Sequence, residues 1–127
     1  MDSALRLKLL RVALVVIGLI FLCGLFILMK SWPAAWTWEP RQSEYEEMLL
    51  GIYATLGVFL MRAARDPLAN LGLIWFTVWS SLVHGAIMLI QALQDPLDRA
   101  NLLGDVPGLL LVALVLAWLT PRQYPRG

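Results

Sequence analysis

The chain has 127 residues, of which 60% are hydrophobic and 15% charged, and its net charge is +1. Soluble domains average about 45–50% apolar and about 25% charged residues, so this composition indicates an integral membrane protein. The small net charge argues against nucleic acid as a partner, because phosphate binding needs clustered cations. One Cys and one His exclude zinc-finger spacing and thiol redox pairs, and we expect no metal and no other cofactor.

Four apolar runs divide the chain, and each is predicted to be a membrane-spanning helix. They are Leu9–Met29, Met48–Ala64, Leu71–Leu93 and Val106–Thr120. About 20 helical residues cross about 30 Å of hydrocarbon, a length that the first and third runs supply without strain. The second and fourth runs are shorter and draw the acidic residues at their ends toward the interface. We predict one all-α domain over residues 1–127, an integral membrane four-helix bundle.

The first span begins like a secretory signal peptide, because Arg6, Lys8 and Arg11 precede its apolar residues. A signal peptide has an apolar core of about 7–15 residues and ends at a small-x-small cleavage site. The run here is longer, and residues 30–33 (Lys-Ser-Trp-Pro) offer no such site. We therefore interpret it as an uncleaved first span.

The distribution of cations predicts the orientation of the bundle. Placing both termini in the cytoplasm puts seven cations on the inside: Arg6, Lys8, Arg11, Arg62, Arg65, Arg122 and Arg126. The outer loops then hold three: Lys30, Arg41 and Arg99. Short cytoplasmic loops are enriched in Lys and Arg, so we predict that both termini are cytoplasmic.

Several connections carry helix-start signals. Asp66-Pro67 and Asp95-Pro96 each place an N-cap residue before a proline at the first helical position. The first pair is predicted to start the third span, and the second a short interfacial helix. Asp105 is predicted to cap the fourth span.

Three tryptophans, Trp32, Trp36 and Trp38, crowd the first outer loop. Tryptophan favours the headgroup zone of a bilayer, so the first interpretation is membrane anchoring. The alternative is an aromatic lid over the mouth of a ligand site.

A stripe of polar and small side chains follows one face of the third span, at steps of three and four residues. Its members are Thr77, Ser80, Ser81, His84, Met88 and Gln91. Polar groups facing lipid are costly, so this stripe is expected to face the bundle interior. The second span carries a matching face that includes Glu47 and Gly51, and the fourth carries Gly104 and Gly108. We expect these three helices to pack through small residues, with the first helix more exposed to lipid.

His84 is the titratable side chain that the sequence places deepest in the membrane. Glu47 and Asp105, at the outer ends of their helices, are its candidate partners. One interpretation is a neutral histidine bonded to a neighbouring Ser, Thr or carbonyl, which joins two helices. The alternative is a proton-handling or ligand-contacting histidine. The sequence has no nucleophile motif, phosphate loop or metalloprotease motif, so we do not expect an enzyme.

Two blocks resemble a family of small bacterial four-span membrane proteins of unknown function. The first runs from Glu47 to Leu93 and includes Arg65-Asp-Pro67 and His84, and the second runs from Leu102 to Arg122. The resemblance implies the four-span architecture and a bacterial cytoplasmic (inner) membrane. It implies no activity, cofactor or site residue.

The working hypothesis is a small multi-pass membrane protein that acts through helix packing, as an accessory or homo-oligomeric component. Its expected partners are the lipid bilayer, further copies or another membrane protein. One alternative is a transporter of protons or a small ligand that uses His84 and Glu47. The other is a quinone- or lipid-binding membrane module.

Overall fold

The computed structural model describes residues 2–36 and 43–122, which are helical apart from short connections. The long and short α-helices are α1 (Ser3–Ser31), α2 (Pro33–Trp36), α3 (Ser43–Ala63), α4 (Leu71–Gln94) and α5 (Asp105–Leu119). Two 3₁₀ helices, Pro67–Asn70 and Pro96–Leu103, precede α4 and α5. The all-α prediction is confirmed, and α1, α3, α4 and α5 coincide with the four predicted apolar helices.

Helix α1 is continuous over 29 residues but contains a π-helical turn at Ile20–Gly24. The helix begins after Asp2, whose carboxylate accepts a hydrogen bond from the backbone N–H of Ala4. π-helical turns are rare, occur mostly as single turns inside α-helices and are frequent at functional sites. Phe21 is the buried residue of this turn.

The core lies where α1, α3, α4 and α5 meet. Five large side chains in it have no exposed surface: Leu10, Leu14, Leu60, Ile74 and Leu116. Helix α1 supplies two of them, yet it is more exposed than α4, as the sequence analysis expected, since 22% of its apolar segment is buried against 33% for that of Pro67–Gln94.

The closest helix pairs are α1 with α3 and α4 with α5. Gly18 and Gly57 face each other in the first pair, and a methyl group at Gly18 would lie 2.7 Å from the carbonyl oxygen of Gly57. Gly51, which was expected in a helix contact, has no atom within 4 Å of where its Cβ would be. Helix α3 therefore packs mainly against α1, and it does so through Gly57 and not through Gly51, the glycine that was expected.

Both predicted Asp-Pro starts are confirmed. The Asp66 side chain accepts a hydrogen bond from the Ala69 N–H, and the Asp95 side chain accepts one from the Leu97 N–H at 3.0 Å. The prediction that Asp105 caps the fourth span, α5, is wrong. Gly104 occupies the N-cap position without a side-chain hydrogen bond, and Asp105 is the first helical residue. This shift leaves the Asp105 carboxylate available for the interior.

Two segments are long and apolar enough to cross a membrane, Ser3–Ser31 and Pro67–Gln94. A third candidate joins Pro96–Leu103 to Asp105–Leu119 across a bend of 41°. Helix α3 does not reach this standard, because glutamates at its start and Arg62 at its end limit its charge-free run. The described part of the chain therefore holds two or three such helices, and four spans remain a prediction.

Large apolar side chains cover the outside of the bundle. Ile52, Phe76, Trp79, Leu114 and Trp118 are each more than 60% exposed. Water would not tolerate so continuous an apolar surface on a soluble monomer, whereas lipid tails would solvate it.

Candidate functional site

A hydrogen bond between two helices forms the centre of the candidate site. It joins the Tyr53 hydroxyl of α3 to Nδ1 of His84 in α4, and the hydroxyl donates when Nδ1 carries no proton. The two rings lie at 30° to each other with their centroids 5.9 Å apart. His84 therefore joins two helices, as one interpretation of the sequence held, but its partner is a tyrosine that sequence reasoning missed.

Phe21 of the π turn in α1 holds the other side of Tyr53. The two rings meet edge to face, with centroids 5.0 Å apart and an interplanar angle of 74°. In this geometry the partly positive edge of one ring lies against the partly negative face of the other, which is a favourable contact. Three helices thus converge on Tyr53, which lies four residues before Gly57, where α1 and α3 approach most closely.

The acidic residue of α3 that reaches the interior is not the predicted one. Glu46 is 4% exposed, whereas Glu47 belongs to the exposed surface of α3. Glu46 and Tyr53 are seven residues apart and so share a helix face. A small cavity of about 50 Å³ is lined by Glu46, Tyr53, His84 and Asp105. The carboxyl group beside His84 on α3 is therefore that of Glu46.

Asp105 belongs to the same cluster. It lines the small cavity with His84 and acts electrostatically on the Tyr53 hydroxyl. The sequence analysis named Asp105 as a candidate partner of His84. It lies at the start of α5, directly after the bend, and so lines the same cavity as His84. Together, Tyr53, His84, Glu46 and Asp105 form what we call the polar cluster.

The remaining candidates on α4 have structural contacts. The Ser80 hydroxyl donates to the Thr77 carbonyl at 3.3 Å, and the Thr77 hydroxyl donates to the Leu73 carbonyl at 2.9 Å. Ser81 is buried. Gln91 is exposed, and the expectation that it faces the interior is wrong. The buried face of α4 includes Ala92. Because successive residues on a helix are about 100° apart, Gln91 points away from that face.

An apolar groove of about 580 Å³ runs between α1 and α5. Its lining spans residues 9–28 of α1 and 108–119 of α5, and Tyr53, His84 and Asp105 also line it. Nineteen helical steps correspond to roughly 29 Å, about the thickness of the hydrocarbon core. Along α1 the groove is therefore about as long as the hydrocarbon core of a membrane is thick, and it has polar groups in one part of an otherwise apolar wall.

The three loop tryptophans separate into different environments. Trp36 lines the groove, and its ring covers Gly108, where a methyl group would lie 3.3 Å from it. Trp32 is exposed, as an anchoring residue would be, and Trp38 lies outside the described residues. Of the described pair, Trp36 is the one in the position of a ligand-mouth residue.

Metal chemistry has no visible basis in residues 2–36 and 43–122. No group of three or more His, Cys, Asp or Glu side chains in these ranges is arranged to hold a metal ion. The polar cluster offers hydrogen-bond donors and acceptors, which suit an organic polar group or a proton.

Comparison with known proteins gives a family but no activity. The model of the family described as "Family of unknown function (DUF6632)" matches residues 4–123. The chain belongs to this family. The sequence-based resemblance to a family of unknown function is thereby confirmed. No curated protein and no solved structure matches the DUF6632 chain. What the molecule does has to be argued from its own geometry.

Proposed function

We propose that this DUF6632 protein is a four-span membrane protein that binds a lipophilic molecule with one long hydrocarbon chain and an uncharged polar head. A quinone or quinol is the class that fits best. The proposal depends on one observation, the groove between α1 and α5 with the polar cluster in its wall. It develops the quinone- or lipid-binding alternative of the sequence analysis.

The size and lining of the groove support a hydrocarbon chain as the occupant. Small-molecule sites have volumes of about 300–1,000 Å³, apolar walls and a few placed polar groups, and this groove has all three features. Residues on its rim, among them Val12, Val16 and Leu111, are exposed. A chain could therefore enter sideways from the lipid without passing through water.

The polar cluster supports an uncharged head. The Tyr53 hydroxyl and the His84 imidazole can each donate and accept hydrogen bonds. A quinone carbonyl needs a donor, and a quinol hydroxyl can use either. The Asp105 carboxyl group lies beside them and that of Glu46 lines the adjoining cavity. In the part of the chain that the structure describes, the lining of the groove includes no Lys or Arg that could neutralise a phosphate head, so a phospholipid fits this position poorly.

The transporter hypothesis loses one of its two residues at this site. Glu47 is exposed on α3, so it does not share the cavity with His84. A role as an accessory or homo-oligomeric component stays compatible with quinone binding. Its support is the wide apolar exterior, which lipid would cover equally well.

The test is retention of quinone by the purified protein. We expect native mass spectrometry of protein from quinone-containing nanodiscs to find one quinone per chain. Val112→Trp, which fills the groove, should abolish this retention, whereas Leu114→Trp, on the exposed side of the same helix, should not. Equal retention by both variants, or none by the native protein, would contradict the proposal.

A further inference from the structure

We propose that a second site, an open cleft between α1 and α3, binds the phosphate of an anionic phospholipid through Arg11 and Arg65. The cleft has a volume of about 500 Å³ and is lined by both arginines, with Val15, Val16 and Met61 among its apolar residues. It shares only Val12 and Val16 with the quinone groove, so the proposal does not depend on the proposed function.

The cleft lies at the end of the bundle that carries most of the cations. Arg11 is in the first half of α1, and Arg65 lies two residues beyond the end of α3, just before the 3₁₀ helix that leads into α4. Because α1 and α3 pack together through Gly18 and Gly57, they bring these two distant arginines to one cleft. On the predicted orientation, this is the cytoplasmic leaflet.

Other arginines at this end are already engaged by the protein. Nε of Arg6 donates a hydrogen bond to the Trp118 carbonyl at 3.2 Å, which ties α1 to the end of α5. The Arg62 guanidinium lies 5.7 Å from the centroid of the Phe59 ring. In the described ranges no side-chain hydrogen bond or ion pair holds Arg11 or Arg65, and the nearby Asp66 carboxylate caps Ala69. Both guanidinium groups are therefore free to bind a ligand.

The chemistry of the cleft selects a lipid over a free anion. Guanidinium groups bind phosphate oxygens through paired N–H donors, and two of them match one phosphate group. The valines and Met61 beside them offer a surface for an acyl chain, which a soluble phosphate would leave uncovered. Basic pockets between spanning helices at the cytoplasmic side bind anionic lipid headgroups in this way.

The experiment compares lipid retention in nanodiscs of mixed phosphatidylglycerol and phosphatidylcholine by native mass spectrometry. We expect the native protein to retain phosphatidylglycerol selectively. The double variant Arg11→Gln with Arg65→Gln should weaken this retention about 100-fold, since each arginine loses at least one hydrogen bond to a charged group, which contributes about ten-fold, whereas general surface charge contributes only about five-fold per cation. The matched control, Lys8→Gln with Arg62→Gln, removes the same charge from the same end but does not line the cleft.

A second variant tests the cleft without changing any charge. Val15→Trp fills it, because Val15 lines this cleft and not the groove, and it should also reduce retention. Equal losses in the charge control and the double variant would reduce the effect to general surface charge and overturn the site. Displacement of the lipid by inorganic phosphate or glycerol phosphate would mean that the ligand is a free anion, which also overturns it.

Discussion

At the scale of single residues, Tyr53 is the side chain that organises the interior. It makes an edge-to-face contact with Phe21, shares a hydrogen bond with His84 and lies near enough to Asp105 for an electrostatic interaction. Four helices thus contribute one side chain each to a small volume. An interhelical hydrogen bond inside a membrane contributes about 0.6 to 2 kcal/mol, so its loss should be measurable.

Tyr53→Phe removes the hydroxyl and keeps the ring. We expect this variant to lower the free energy of unfolding by about 1 kcal/mol, while the contact with Phe21 survives. His84→Ala should lower it by a similar or larger amount. In the double variant the two effects should not add, because either change removes the same bond. A double-mutant cycle in a mild detergent measures this, and simple additivity would refute the bond.

At the scale of the elements, the helices were predictable and their pairing was not. Apolar length and the Asp-Pro starts give α1, α3, α4 and α5 without reference to contacts, because those signals are local. Which helices pair depends on where two backbones can approach, and one small residue does not identify its partner. Gly51 and Gly57 are alike in sequence, but only Gly57 meets another helix. For this reason the prediction that the second, third and fourth spans pack through their small residues missed the contact between α1 and α3.

The contact between α1 and α3 gives a prediction with an internal control. Gly18→Ala would place a methyl group 2.6 Å from Cγ of Met61 and 2.7 Å from the Gly57 carbonyl oxygen, so the helices must separate. We expect a loss of stability of about 1–3 kcal/mol from such overpacking.

Gly51→Ala is the control, since it meets open space. It should leave the stability unchanged or raise it by up to about 1 kcal/mol, because alanine favours helix over glycine. Thermal unfolding in detergent compares the two variants. If Gly51→Ala is the more damaging substitution, the assigned helix pairing is wrong.

In the candidate site, too, signals within one segment of the chain were readable from the sequence, whereas contacts between helices were not. Periodicity found His84, and loop position found Asp105 and Trp36. Sequence could not choose between adjacent Glu46 and Glu47, because one residue of helix rotation decides which faces inward. Tyr53 gave no signal beyond its lying seven residues, about two turns, after Glu46. The π turn that presents Phe21 has no mark in the sequence that we can identify.

At the scale of the whole molecule, the distribution of charge predicts how the bundle lies in a membrane. The end that carries Arg6, Arg11, Arg62 and Arg65 should face the cytoplasm, and the end with α2 and the 3₁₀ helix Pro96–Leu103 should face outward. This orientation also gives the two proposed ligands different leaflets. The anionic lipid would bind at the inner face and the quinone head nearer the outer one.

Cysteine labelling tests this orientation. In a Cys23→Ser background, a cysteine introduced at Ser43 should react with an impermeant thiol reagent added from outside. A cysteine at Asn70 should react only after the membrane is opened. The reversed pattern would show that the cation count misassigned the two faces, and labelling of both from outside would show that the second helix does not span.

The most direct test of the central claim is photolabelling by a quinone that carries a diazirine on its chain, with the protein in lipid vesicles. The account predicts that cross-links concentrate on groove residues of α1 and α5, such as Leu109 and Val112, and that unlabelled quinone suppresses them. Cross-links confined to the outer face, at Phe76 and Trp79, and unchanged by unlabelled quinone would contradict it.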